Sequence, residues 1–170
     1  MARELLIFRH GKAEAYGTVA DEARTLTKRG RKQARKMGAW LLEMDLLPEL
    51  LLCSDSARTM ETAAIAGHVA GILPESIQSA PFLYLAPETA LLAVLAQSDA
   101  AVQRLMIVGH NPGLEGVVDY LAGHSLAEYG GHAHLKTGTL VRLSLPDDWT
   151  RLAPGCSEIL DFIYPDTLTD

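Results

Sequence analysis

The stretch that decides the fold is Leu5-Leu6-Ile7-Phe8-Arg9-His10-Gly11. Its four apolar residues are typical of a buried β-strand, which we expect over residues 4–9. Such a strand delivers Arg9 and His10 to the carboxyl edge of an open α/β sheet, where these sheets bind their ligands. A neutral imidazole can attack phosphorus, and an arginine presents a fixed fork of donors to phosphate oxygens. The stretch therefore indicates a site for a phosphoryl group.

A second apolar run also ends in a polar residue and leads into a helix. Residues 50–54 read LLLCS, and residues 55–63 read DSARTMETA. Arg58 falls in the first turn of the predicted helix, so its side chain can point back toward the strand ends. Candidate N-caps for this helix are Ser54, Asp55 and Ser56.

A third run, residues 105–109, reads LMIVG and is followed by HNPG. Pro112 suits the first position of a helix, so His110 is expected in the turn between strand and helix. Three neighbouring turns of this kind bring two arginines and two histidines to one point. The pattern predicts a phosphate pocket made of Arg9, His10, Arg58 and His110.

With these motifs in place, the chain resembles the histidine phosphatase superfamily, which has the phosphoglycerate-mutase-like fold, and within it the short phosphohistidine phosphatase branch typified by SixA. The resemblance implies that His10 is the phosphorylated residue and that Arg9, Arg58 and His110 complete the phosphate pocket. The matching pieces are spread over the first two thirds of the chain in the family's order, so the resemblance covers nearly a whole domain. The matching pieces are RHG at 9–11, LTKRG at 26–30, SDSARTMETA at 54–63 and VGHNPG at 108–113.

Composition is consistent with one catalytic domain over residues 1–170. The chain has 170 residues, of which 48% are hydrophobic, enough for a substantial core. A formal charge of −6 argues against a nucleic-acid-binding protein.

Residues 28–36 concentrate the positive charge, and we interpret them as the solvated face of an amphipathic helix. Docking of an acidic partner or steering of phosphate is the alternative. The inward stripe of this helix is predicted as Ala34, Met37, Gly38, Leu41 and Met44.

The order of elements predicts a three-layer α/β/α fold with a mainly parallel sheet. The last two predicted strands, at 139–145 and 157–164, could add an antiparallel edge to the sheet. Strands are expected at 4–9, 49–54, weakly at 77–83, and at 104–109, 139–145 and 157–164. Helices are expected at 28–44, 56–69, from Pro87-Glu88 to about Ala96, and at 112–122.

Cysteine usage and the N-terminal sequence predict a cytoplasmic protein. Cys53 and Cys156 suggest no disulfide framework, and Cys53 is expected to be a small buried hydrophobe. Met1-Ala2-Arg3-Glu4 leads directly into the first strand, and no apolar run approaches the ~18 residues of a membrane span. We therefore expect no membrane or nucleic-acid partner.

Phosphoryl transfer requires stabilised equatorial oxygens and an in-line attack. We expect His10 to attack phosphorus and form a phosphohistidine intermediate. Arg9 and Arg58 would bind the oxygens, and His110 would donate a further hydrogen bond as charge develops. Because cationic side chains neutralise the charge, this mechanism requires no metal and no cofactor.

The general acid is the open part of this mechanism. Glu88, at a helix start, is the nearest positional match to the carboxylate of many superfamily members, although it could equally be a residue that stabilises the helix dipole. Glu14 and Asp21 are weaker candidates. An imidazole leaving group, whose conjugate acid has a reference pKa of about 6.5, needs less protonation than an alkoxide.

The doubtful acid and the compact chain, which has little length for a lid, favour phosphohistidine on signalling proteins as the substrate. The alternatives are a phosphatase of small phosphomonoesters and a non-catalytic phosphoryl-binding regulator on the same fold. Retention of the nucleophile argues against the regulator.

Three further histidines belong to a loop rich in glycine and small residues, residues 122–137. His132-Ala133-His134 suggests a metal site, but neither a nearby cysteine or carboxylate pair nor a helical His-x-x-x-His spacing completes it. A loop near the mouth of the site is the preferred interpretation. His68, late in a helix, is expected at the surface.

Overall fold

The computed structural model describes residues 2–17, 19–128 and 134–170. Within them a six-stranded sheet has the order β3-β2-β4-β1-β5-β6. The first four strands in this order are mutually parallel, and β5 and β6 add the antiparallel edge. The mainly parallel α/β fold predicted from the sequence is confirmed. The strands are β1 (Arg3–Arg9), β2 (Leu50–Ser54), β3 (Ile77–Ala80), β4 (Arg104–Gly109), β5 (Leu140–Leu145) and β6 (Glu158–Ile163).

Helices cover both faces of this sheet and create two apolar clusters. In β1, Leu5 and Ile7 face one cluster while Leu6 and Phe8 face the other, as the two-residue period of a strand requires. One face is covered by α1 and α2, and the opposite face by α3 and α4. The helices are α1 (Lys28–Glu43), α2 (Ala57–Ala70), α3 (Glu88–Ala96) and α4 (Gly113–Ala122).

The start of α1 is fixed against the loop that follows β1. The Thr27 side chain caps the helix by accepting from the Gly30 N–H at 3.0 Å. Gly30 lies so close to this loop that a Cβ there would meet the Lys12 carbonyl oxygen at 2.1 Å. A residue with a side chain at position 30 would therefore push α1 away from the loop that carries the site.

Two details of the predicted elements are wrong at their ends. The strand β3 is shorter than expected because Pro81 begins a turn of 3₁₀-helix over Pro81–Leu83. Met44 was expected on the inward face of α1, but it follows the last helical residue, Glu43, and is 48% exposed. In the described part of the chain, no helix is long and apolar enough to cross a membrane.

Candidate active site

The carboxyl ends of β1 and β4 place the two histidines side by side. Arg9 is in register with Gly109, and the His10 N–H donates to the Gly109 carbonyl at 3.2 Å. The rings of His10 and His110 meet edge to face, with centroids 5.4 Å apart. Parallel pairing of these two strands is therefore what brings the first and third motifs together.

The neighbouring strand β2 adds the arginine of the second motif. Ser56 is the N-cap of α2, and its side chain accepts from the Thr59 N–H. This cap places Arg58 in the first turn, where its side chain is 3% exposed and its Nη2 lies 3.4 Å from Nδ1 of His110. Ser56 is thus the cap among the three candidates.

A cavity of about 260 Å³ contains all four predicted pocket residues. Arg9, His10, Arg58 and His110 line it, and the loop after β1, the residue after His110, the segment before α3 and the segment before β5 contribute the rest of the wall. The prediction that three strand-to-helix turns converge is confirmed in geometry. The other lining residues are Lys12, Ala13, Tyr16, Arg24, Leu85, Asn111 and Thr137.

The ring of His10 is held in the form that a nucleophile needs. Its Nδ1 lies 2.7 Å from the Gly11 carbonyl oxygen, which only accepts, so Nδ1 carries the proton and Nε2 keeps its lone pair. Burial, and to a smaller extent the nearby His110, Arg9 and Arg58, lower the pKa of His10 to about 3, against the opposing hydrogen bond to Gly11. His10 is therefore neutral at neutral pH.

His110 is also neutral, and both of its nitrogens have a neighbour. Burial, followed by the charge of Arg58, lowers the pKa of His110 to about 4. Nε2 lies 2.8 Å from Oγ of Ser54, on the side of the ring opposite Arg58. The ring can thus donate or accept a hydrogen bond without carrying charge.

Two guanidinium nitrogens at the cavity are buried without a partner in the described chain. They are Nε of Arg9 and Nε of Arg58. These two nitrogens are shielded, but both arginines line the cavity, and a guanidinium group is matched to the oxygens of an anion. The cavity is therefore suited to an anion.

Arg58 has an anionic partner, Asp21, which the sequence offers only as a weaker candidate for the general acid. Its Nη1 donates to the Asp21 carbonyl at 2.7 Å, and its Nη2 donates to the Asp21 carboxylate at 3.0 Å. The hydroxyl of Tyr84 and the guanidinium of Arg24 also bind this carboxylate. Hydrogen bonds from Tyr84, then Arg24 and Arg58, hold the pKa of Asp21 well below its usual range. A carboxylate this strongly ionised is a poor proton donor.

The structure does not bring Glu88 into the cavity. Glu88 is the first residue of α3 and is absent from the lining residues. Its carboxylate packs over Gly116 of α4, where a Cβ would lie 2.4 Å from Oε2. The packing of α3 against α4 sets this direction, which position in the sequence could not reveal. Glu14 is also absent from the lining residues, and its carbonyl accepts from Arg24 at 2.7 Å.

The segment before β5 closes one side of the site through the backbone of Leu135. The Leu135 carbonyl accepts from Nη1 of Arg9 and from Nδ2 of Asn111, both at 2.8 Å. The Leu135 N–H donates to Glu115 of α4 at 2.8 Å. The predicted position of this loop at the mouth of the site is confirmed for its described end, where Thr137 lines the cavity.

The metal alternative gains no support from the described residues. Among them, no three histidine, cysteine or carboxylate side chains come together as metal ligands. His134 is 77% exposed and lies 3.6 Å from Glu115, while His132 falls outside the described residues.

Comparison with known proteins agrees with this architecture. The family model "Histidine phosphatase superfamily (branch 1)" matches residues 5–80. SixA from Agrobacterium tumefaciens superposes with a TM-score of 0.83 at 23% identity, covering 97% of this chain and 99% of that chain. SixA from Nakamurella multipartitia gives 0.80 at 28% identity, covering 97% of both chains.

A third solved structure, the protein histidine phosphatase SixA in complex with tungstate, has a TM-score of 0.78 at 23% identity and covers 96% of this chain and 97% of that chain. The family model matches the residues that carry the first two motifs, and the similar structures extend the likeness over nearly the whole fold. Residues 5–80 of the chain thus match the histidine phosphatase superfamily, and the chain as a whole has the fold of the SixA structures.

Proposed function

We propose that the protein is a metal-independent phosphatase that acts through a phosphohistidine intermediate on His10. One observation carries this proposal: a neutral His10, with Nε2 unprotonated, lines a cavity that the cationic side chains of Arg9 and Arg58 also line. A site that only bound phosphate would have no need of a neutral imidazole in that place. This argues against the non-catalytic regulator.

The reaction divides into two displacements. Nε2 of His10 attacks phosphorus, the bond from phosphorus to the leaving group breaks, and the leaving group takes the electron pair and a proton from solvent water. Arg9 and Arg58 stabilise the equatorial oxygens, and His110 donates a hydrogen bond as charge develops. Water then attacks phosphorus, the bond to Nε2 breaks with its electron pair returning to His10, and inorganic phosphate leaves.

The proposed substrate is phosphohistidine on a cytoplasmic signalling protein. No carboxylic acid among the described residues of the cavity wall is available to protonate an alkoxide, and the nearby Asp21 is ionised. An imidazole leaving group, with a reference pKa of about 6.5, tolerates this lack. Resemblance to SixA, one structure of which is a protein histidine phosphatase bound to tungstate, supports the same substrate.

A phosphatase of small phosphomonoesters is the second candidate. Lys12 and Arg24 also line the cavity and could bind a further anionic group of such a substrate.

A substrate panel separates the two candidate functions: a phosphohistidine protein, several sugar phosphates and p-nitrophenyl phosphate, each assayed in excess EDTA. We expect the highest kcat/KM for the phosphohistidine protein. A higher value for a sugar phosphate would favour the second candidate, and loss of activity in EDTA that zinc or manganese restores would contradict the metal-independent mechanism.

A further inference from the structure

Ser54 contacts the proposed catalytic machinery without lining the cavity. It is the last residue of β2 and is fully buried. Its Oγ lies 2.8 Å from Nε2 of His110, and the N–H of Ser56 points to the same oxygen at 3.4 Å. The cavity wall includes His110 but not Ser54. The hydroxyl therefore reaches the reaction only through the histidine ring.

Arg58 and Ser54, which face the two ring nitrogens of His110, fix which of these nitrogens is protonated when no anion is bound. Nη2 of Arg58 lies 3.4 Å from Nδ1, and a guanidinium nitrogen can only donate. A neutral ring facing this donor keeps its lone pair on Nδ1 and its single proton on Nε2. Nε2–H then donates to Oγ of Ser54, which acts as the acceptor.

A phosphoryl oxygen in the cavity requires the opposite protonation of the His110 ring. Because Nε2 faces the buried Ser54, Nδ1 is the nitrogen on the cavity side of His110. An oxygen there accepts, so His110 must now present a proton on Nδ1. A neutral ring that does so has its lone pair on Nε2, and that lone pair needs a donor. The serine hydroxyl has one donor and two acceptor sites, so it can serve both arrangements.

We propose that Ser54 is the positioning residue for His110, and that its hydroxyl lets the neutral ring change its protonated nitrogen when a phosphoryl group enters. One proton leaves Nε2 and one arrives at Nδ1 by exchange with water, so the charge of the ring is unchanged. Ser54 rotates its O–H from acceptor to donor geometry and keeps its proton. This inference rests on the proposed function, because it assigns His110 the role of donor to the phosphoryl oxygens.

A doubly protonated ring is the competing arrangement, and the surroundings of His110 disfavour it. Burial and the charges of Arg58 and Arg9 all lower the pKa of His110. An imidazolium at this position would add a third cation beside the two guanidiniums. The neutral ring with a serine partner avoids that cost.

The test uses the full chain labelled with ¹⁵N-histidine and tungstate as the phosphoryl analogue. Long-range ¹H–¹⁵N spectra report which ring nitrogen carries the proton, and His110→Gln identifies the signals of His110. In the wild type we expect the proton on Nε2 without tungstate and on Nδ1 with it. Ser54→Ala should lose this shift and raise the Kd for tungstate about 10- to 100-fold, since Nε2 is left without a donor.

Three further variants separate positioning from packing. Ser54→Cys keeps the volume with a weak donor and should behave as Ser54→Ala, which also covers the case in which the alanine variant fails to fold. Ser54→Thr keeps the hydroxyl and should keep the shift. Ser157→Ala is the matched control, because Ser157 is also a buried serine, lies just before β6, and its Oγ has no hydrogen-bond partner among the described residues. It should leave the shift intact.

Several outcomes would overturn the proposal. Protons on both nitrogens of His110 in the wild-type complex would show an imidazolium, and an unchanged shift and Kd in Ser54→Ala would show that the hydroxyl is not needed. Loss of the shift in Ser54→Thr, with the shift intact in Ser157→Ala, would attribute the effect to packing. Tungstate that neither inhibits the enzyme nor moves any signal of His10 or His110 would overturn the proposed function as well.

Discussion

The carboxylate of Asp21 lies 3.0 Å from the guanidinium of Arg58, so the chain's own anion holds one of the cavity's cations. The Arg58 side chain is 3% exposed, and the same guanidinium also donates to the Asp21 carbonyl at 2.7 Å. A buried arginine needs such acceptors, because an unpaired guanidinium is costly to bury. The loop that carries Asp21 is thereby attached to the phosphate pocket.

Asp21→Asn should lower the free energy of unfolding at pH 7 by about 1–3 kcal/mol, because it leaves the buried Arg58 without its charged partner. Urea denaturation measures this. Asp166→Asn is the matched control, since Asp166 pairs with Arg29 at 2.9 Å between side chains that are 46% and 60% exposed. We expect the control to change stability by less than about 0.5 kcal/mol. Equal losses in the two variants would contradict the buried role of the Asp21 pair.

The ion pair between Asp21 and Arg58 also predicts how the free energy of unfolding depends on pH. The pKa of Asp21 is lowered in the folded protein, so its contribution is fully present above the unfolded value of about 3.9. It should disappear as the pH falls through the lower folded value. The stability difference between the wild type and Asp21→Asn should therefore be constant from pH 7 to about pH 5.

Replacement of His10 by alanine should abolish turnover and leave the fold intact, because the residue lies after the end of β1 and outside the two apolar clusters. Incubation with ³²P-labelled substrate should give an acid-labile, base-stable label on the wild type and none on the variant. His68→Ala, at an exposed position of α2, should label normally. Label that persists in His10→Ala would mean that another residue is the nucleophile.

The two cavity histidines should make the protein less stable in mild acid. The pKa values of His10 and His110 are lowered to about 3 and about 4, whereas the unfolded value is about 6.5. The unfolded state therefore binds more protons below pH 6.5, and stability falls as the pH drops from there toward 4. We expect the stability of the wild type to decrease relative to that of a His10→Ala/His110→Ala double variant over this range. A difference that is independent of pH would contradict the lowered values.

Glu88→Gln keeps the size of the side chain but removes its ability to donate a proton at neutral pH. Because the Glu88 carboxylate packs over Gly116 and not in the cavity wall, we expect less than about a tenfold loss of kcat on phosphohistidine protein. General acid catalysis contributes about 10²–10⁴-fold where it operates. A hundredfold loss on both phosphohistidine and an alkyl phosphate would identify Glu88 as an obligatory acid and favour the small-phosphomonoester function.

The sequence by itself placed the three motifs at the carboxyl edge of one parallel sheet. Each motif is a strand followed directly by a turn and a helix, and this pattern is local and readable from hydrophobic runs. The carboxyl ends of parallel strands lie at one edge of a sheet, so the predicted strands put Arg9, His10, Arg58 and His110 at that edge. The strand order β2-β4-β1, which no local pattern specifies, makes their three turns neighbours around one cavity. The resemblance to the family rested on the same residues.

Only the tertiary structure decided which side chains support those four. Asp21 and Tyr84 belong to loops without periodicity, 37 and 26 residues from Arg58 in the chain, and no local rule places them on its guanidinium or on each other. Glu88 is the opposite case: its position in the sequence favours a place in the cavity, but the packing of α3 on α4 directs its carboxylate to Gly116 instead. Local propensity specifies strands and turns, whereas the direction of a side chain at a helix start or in a loop depends on what packs against it.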